Sequence, residues 1–227
     1  PFDTTTHYVI LPDNVGHGRS SKPSDGLRAR FPRYGYADMV RAQHLLVTQG
    51  LGVGRLRVVI GTSMGCMHAW MWGVAHPDLV DALVPLACAP TAIAGRNRMV
   101  RTMMMDAIRD DPAWQGGDYA AQPPGLRSAL GLLFLMSSAP LVQQAQAPTR
   151  DAADSTIRRW LRERMATTDA NDLLYQFDAS RDYDPSPGLA SIRARVLAIN
   201  SADDFVNPPE LGLVEALVAR VPGARFV

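Results

Sequence analysis

Cysteine is nearly absent from this chain of 227 residues: only Cys66 and Cys88 occur. Two cysteines that are not spaced as a Cys-x-x-Cys pair exclude a disulfide-framed scaffold at this length, and reduced thiols in a reducing, cytoplasmic compartment are the expectation. Charge of one sign is missing as well. The 23 Lys and Arg against 22 Asp and Glu leave a formal charge of +1, with basic residues spread along the chain, so there is no footprint for nucleic acid or an anionic membrane. No apolar stretch reaches the ~18 residues a membrane span needs. The acidic pairs Asp110-Asp111 and Asp203-Asp204 lack histidine or cysteine companions for a metal site, and no glycine-rich loop has the Walker spacing. No metal or bound cofactor is therefore expected. Small neutral or mixed-charge molecules are the expected partners, with a homodimer left open. The chain also has no initiator methionine and both ends run through apolar stretches, so a piece lacking both termini is expected and a signal peptide is left open.

What is present is an ordinary globular composition, 47% hydrophobic and 20% charged. Continuous apolar runs at 7–12 (HYVILP), 56–61 (LRVVIG), 82–87 (ALVPLA) and 195–200 (RVLAIN) suit strands buried on both faces. Between the first two, residues 36–49 place Tyr36, Met39, Val40, Leu46 and Val47 on one arc of an amphipathic helix. Strand and helix in alternation predict an α/β fold, a parallel sheet flanked by helices. From Thr91 to about Asp184 only helical patterns remain, beginning with Met99, Val100, Met103, Met104, Ala107 and Ile108 at helical spacing. The expected organisation is a core over 1–90, an inserted helical lid over 91–187, and the rest of the core over 188–227.

The chemistry centres on "VVIGTSMGCM", residues 58–67. Gly61-Thr62-Ser63-Met64-Gly65 follows an apolar strand and opens a helix that ends at His76-Pro77, the setting in which a sharp turn lifts a nucleophilic serine hydroxyl clear of a sheet. The flanking glycines are expected because the turn is too tight for a Cβ at either place. The Met64 amide, at the start of the new helix, is placed to donate to an acyl oxyanion. A serine merely capping a helix is the alternative.

"VILPDNVGHGRSS" (9–21), "VVIGTSMG" (58–65) and "INSADDFVNPPE" (199–210) resemble the α/β-hydrolase superfamily's loop before the first major helix, its nucleophile elbow and its acid-bearing strand end. More narrowly, "FPRYGYADMVRAQHLLV" (31–47), "SMGCMHAWMW" (63–72), "DPAWQGGDY" (111–119) and "DANDLLYQFDASRDYD" (169–184) are similar to homoserine O-acetyltransferases. The resemblance implies Ser63 as nucleophile, the Met64 amide as one oxyanion donor, Asp204 as triad acid with Asp203 as runner-up, and Arg101 with Tyr119 as substrate-binding residues in the lid. Aspartates 203 and 204 could instead cap the next helix. Counting back from "DPAW" selects Met105 in place of Arg101, and Arg101 lies off the apolar stripe of its helix, where a solvent-facing arginine is as good a reading. Cys66 stands where the family has a second glycine and reads as a small buried hydrophobe.

A triad needs a histidine after the acid in this fold, and none follows Asp204. Of His7, His17, His44, His68 and His76, His68 points away down its helix, and His17 reads as structural or pocket-lining. The expectation is that the base follows Val227, after a further strand that begins at 224–227 (ARFV), that the second oxyanion donor precedes Pro1, and that the piece by itself is catalytically silent. The implied activity is acyl transfer through an acyl-serine, with acetyl-CoA as co-substrate and homoserine as acceptor. Simple ester hydrolysis on the same site and a non-catalytic binding protein on the same fold are the alternatives.

Overall fold

The computed structural model describes residues 3–227. Four strands, β1 (Val59–Thr62), β2 (Ala82–Leu86), β3 (Arg195–Ala198) and β4 (Arg225–Phe226), form one sheet in the order β1-β2-β3-β4. All three pairings are parallel, with Val59 opposite Leu83, Leu83 opposite Val196 and Leu197 opposite Arg225. Every step moves to the next strand in the same direction, so right-handed crossovers keep the connecting helices on one face of the sheet.

That face carries α1 (Tyr36–Leu45), α2 (Met64–Ala75) and α8 (Leu213–Val218). The α2 helix is apolar nearly all round and sits in the centre of the main core, with Cys66, Ala69 and Trp70 at 0% exposure. The same core takes in Met39 and Val40 of α1, Leu83 of β2, Val196 of β3 and Val214 and Val218 of α8. The expectation of strands buried on both faces is corrected for β1. Its residues alternate inward and outward, and Ile60 on the outer face is 51% exposed, because no crossover among the described residues covers that side.

Two more expectations are corrected here. Residues 7–12 form no strand, and Tyr8 and Leu11 are 72% and 89% exposed; an apolar run becomes a strand only with a neighbour to pair with, and none pairs with it. The helix predicted over 36–49 is regular only to Leu45, after which Leu46–Gly50 make a π-helical turn. That widening rotates Leu46 out to solvent while Val47 stays buried.

Between β2 and β3 lie five helices: α3 (Gly95–Arg109), α4 (Gly125–Met136), α5 (Pro140–Gln146), α6 (Arg150–Met165) and α7 (Ala170–Asp178). Four of them, α3, α4, α6 and α7, enclose a second apolar cluster of Met104, Ile108, Leu126, Leu130, Leu161 and Leu173, among others. No helix among the described residues is long and apolar enough to cross a membrane. The α7 helix ties this layer to the loop before α1. Asp172 accepts from the Ser24 amide and hydroxyl at 2.9 and 2.6 Å, the Tyr175 hydroxyl donates to Phe31 O at 2.7 Å, and Gln176 Nε2 donates to Gly16 O at 2.9 Å.

Candidate active site

Ser63 occupies the single residue between β1 and α2, at φ 52° and ψ −113°, a backbone region that a side-chain-bearing residue adopts only under strain. Its amide donates to Leu86 O at 3.0 Å, at the end of β2, which pins the bend to the sheet. The tightness of the turn is one-sided, correcting the expectation for the flanking glycines. A Cβ on Gly61 would sit 2.2 Å from the backbone C and O of Gly65, whereas a Cβ on Gly65 would meet nothing within 4 Å. Met64 opens α2, so its amide belongs to the first turn, where no intrahelical acceptor exists.

A cavity of about 520 Å³ opens above the bend, a size that suits a small molecule. Ser63, Met64, Arg101, Asp203 and Asp204 all line it, so four of the five predicted site residues converge there. Asp203 is exposed and takes the Ser201 hydroxyl. Asp204 divides its two oxygens: Oδ1 accepts from the amides of Val206 and Asn207 at 2.7 and 3.0 Å, while Oδ2 is buried with no hydrogen-bond partner among the described residues. The helix-capping alternative is corrected: Asp204 Oδ1 closes its own loop, the helical turn at 209–211 and α8 take no side-chain cap, and Asp204 rather than Asp203 carries the unsatisfied acceptor.

Arg101 is buried, at 7% exposure, which removes the solvent-facing reading. The inward face of α3 runs through Asn97, Arg101, Met104, Met105 and Ile108, while Met99 and Met103 of the predicted stripe are 65% and 53% exposed. The stripe misleads because this face lines a polar cavity as well as a core. The guanidinium donates from Nε to Asn97 Oδ1 at 2.8 Å and from Nη1 to Ser180 Oγ at 3.1 Å, and stands 5.3 Å from the Phe177 ring. Burial pulls its pKa below the usual value, opposed by the neighbouring Tyr36 hydroxyl. No carboxylate lies within ion-pair distance of it among the described residues, so a buried cation faces the cavity without a counter-charge.

Tyr119 is the correction. It lies in the cluster enclosed by α3, α4, α6 and α7 rather than in the cavity, and its hydroxyl accepts from the Asn171 amide at 3.1 Å. The tyrosine that lines the cavity is Tyr36, which reads in sequence only as part of an apolar arc; burial raises its pKa, so it stays a neutral phenol. Also missed were Gln176 and Ser180. Both lie within 169–184, a stretch whose motif was visible although its individual roles were not.

His68 is buried against Tyr36, with ring centroids 4.8 Å apart, and does not line the cavity. The Trp72 indole N–H donates to Gln43 Oε1 at 2.7 Å, which orients the amide so that Gln43 Nε2 donates to His68 Nδ1 at 3.2 Å. The His68 proton is thus on Nε2. Burial, with repulsion from His17, lowers the pKa of His68 to about 4. His44 and His76 stack at 3.9 Å beside Trp72, in the α1–α2 packing and outside the cavity.

Cys66 and Cys88 form a disulfide, with Cα atoms 6.0 Å apart. This overturns the expectation of free, reduced thiols: their 22-residue separation hid a contact between the first turn of α2 and the segment after β2. Among the described residues no group of three or more His, Cys, Asp or Glu is placed to hold a metal.

A serine at a strained strand-to-helix bend over a parallel sheet, with an acid in the segment after β3, defines a protein class. The chain belongs to the alpha/beta hydrolase fold family, whose profile matches residues 2–226. Within it the chain is similar to the homoserine O-succinyltransferase of Magnetococcus marinus, at 32% identity over 88% of this chain and 59% of that protein. It is similar also to the homoserine O-acetyltransferase of Rhodopseudomonas palustris, at 30% over 99% and 64%. Among solved structures, esterase E22 superposes with a TM-score of 0.77 at 25% identity, over 92% of this chain and 64% of that one. The chain thus spans about three fifths of the length of these relatives.

Proposed function

We propose that this chain carries the nucleophile, acid and acceptor-binding residues of an acyltransferase that esterifies the hydroxyl of a homoserine-like amino acid. One observation carries the reading: Ser63 on its bend, Asp204, whose Oδ2 has no hydrogen-bond partner among the described residues, and the uncompensated Arg101 all line one cavity. In the first half-reaction, Ser63 Oγ attacks the thioester carbonyl of an acyl donor, with acetyl-CoA as the expected one. The serine proton passes to an imidazole whose other N–H is held by Asp204 Oδ2, and the Met64 amide donates to the oxyanion. Collapse expels the CoA thiolate, which takes the proton and leaves an acyl-serine. In the second half-reaction the acceptor hydroxyl gives its proton to the same imidazole and attacks that ester. The bond to Ser63 Oγ breaks and Ser63 Oγ takes the proton back, while the acceptor's carboxylate sits on Arg101 in a charge-assisted pair. Five-donor guanidinium chemistry suits this role, since N–H groups remain beyond those that meet Asn97, Ser180 and the neighbouring Tyr36 hydroxyl.

Ester hydrolysis is the second reading, favoured by the likeness to esterase E22; there water replaces the amino acid in the second step. A non-catalytic binding protein is a third. The protein expressed from its full reading frame separates them when given acetyl-CoA with and without L-homoserine and, separately, p-nitrophenyl acetate. CoA release that depends on homoserine supports transfer, and ester turnover indifferent to homoserine supports hydrolysis. Ser63→Ala is expected to lower either activity by on the order of 10⁶. Turnover that survives this substitution, or none in the parent, would remove the serine mechanism.

A further inference from the structure

His17 lines the Ser63 cavity from the loop before α1, and the proposed reaction assigns it nothing. Its ring state follows from geometry. Nδ1 lies 3.1 Å from Val15 O, and a carbonyl oxygen only accepts, so Nδ1 carries the proton and Nε2 of the neutral ring presents a lone pair. Burial lowers its pKa, holding it neutral. The loop is held by Gly16 N donating to Ser21 O and His17 N donating to Asn14 O, both at 2.9 Å, so the acceptor nitrogen is carried on an ordered support.

The α7 helix touches both the His17 loop and Arg101. Gln176 Nε2 grips Gly16 O, the carbonyl next to His17, while the ring of the following residue, Phe177, stands against the Arg101 guanidinium. Consecutive residues of one helix thus touch the loop that carries His17 and the Arg101 guanidinium, and both His17 and Arg101 line the same cavity. His68, which neighbours His17 electrostatically, also packs on Tyr36, the phenol beside Arg101. A carboxylate-binding cation and a neutral acceptor nitrogen lining one cavity match the two charged groups on the α-carbon of an amino acid.

We propose that His17 is a substrate-binding residue whose Nε2 accepts a hydrogen bond from the α-ammonium of the acceptor amino acid, beside the carboxylate held by Arg101. This rests on the amino-acid reading of the cavity given above. Ligands that lack an α-ammonium gain nothing from His17, so the residue selects amino acids over hydroxy acids.

Calorimetric titration at pH 7.5 with three probes tests it: L-homoserine, 4-hydroxybutyrate, which lacks the ammonium, and L-2-aminobutyrate, which lacks the hydroxyl. Loss of a hydrogen bond to a charged group costs about tenfold or more in affinity. His17→Ala is expected to weaken L-homoserine and L-2-aminobutyrate by that factor and to leave 4-hydroxybutyrate within about twofold. His17→Gln, which returns an acceptor oxygen, is expected to recover part of the loss. Equal weakening of all three ligands, no weakening, or weakening confined to the two hydroxyl-bearing ligands would overturn the assignment. Arg101→Ala serves as the separate check on the carboxylate reading and should weaken all three. If it does not while the His17 pattern holds, the arginine role fails and the histidine role stands; a parent chain that binds none of the three overturns both.

Discussion

The bend at Ser63 depends on one missing carbon atom. A methyl group on Gly61 would overlap the backbone of Gly65, where neither partner is a flexible side chain that can move aside. Gly61→Ala is therefore expected to cost about 3 kcal/mol or more, at the upper end of overpacking penalties. Gly65→Ala meets open space in the first turn of α2 and should stay within about 1 kcal/mol of the parent, since alanine is the better helix former. Urea unfolding of the two variants decides the matter, and equal costs would refute the one-sided turn. The same scale explains Asp204: one carboxylate oxygen shapes its own loop and the other has no hydrogen-bond partner among the described residues, a division that no motif reports.

At the scale of elements, α2 is fastened at both of its functional sides. Ser63 is hydrogen-bonded to the end of β2, and three residues on, Cys66 is covalently joined to Cys88 just past the same strand. Closing a loop of 22 residues restricts the unfolded chain by about 3 kcal/mol in the chain-entropy account. Reduction with dithiothreitol should lower the urea midpoint accordingly, and Cys88→Ser should match the reduced parent and not respond to reductant. An intact mass showing two alkylatable thiols under native, non-reducing conditions would contradict the bridge. The α7 helix does comparable work without covalent bonds, holding the loop of residues 16–31 through Asp172, Tyr175 and Gln176. Gln176, which makes one of these contacts, also faces the cavity, so the fastening and the site share an element.

Across the whole molecule, three histidines are lowered in pKa together: His17, His68 and His76, each first by burial. The unfolded chain takes up protons on them near the ordinary value of 6.5, whereas folded His68 holds off until about 4. The stabilisation from neutral burial is thus complete above pH 6.5, declines as pH falls, and is gone below about 4. For His68 the difference corresponds to about 3 kcal/mol. Urea midpoints between pH 7.5 and 4 should fall more steeply for the parent than for His68→Gln, and parallel curves would show that this imidazole is not held neutral. The two apolar clusters, one on the sheet and one among α3, α4, α6 and α7, meet through the cavity whose walls they both supply.

The sequence alone determined the parallel α/β alternation, all four strands of the sheet, the bend at residue 63 and the helical stretch between β2 and β3. These follow from short-range facts: the period of apolar residues, a glycine where a turn closes, a helix opening on the next residue. Tertiary structure alone decided which face of α3 turns inward, that Tyr36 rather than Tyr119 reaches the cavity, that Cys66 meets Cys88, and that residues 7–12 stay unpaired. Each depends on what arrives from a distant part of the chain. A wall lined by cavity on one side and core on the other breaks the rule that buried faces are apolar, and that rule was the one by which Arg101 had been judged.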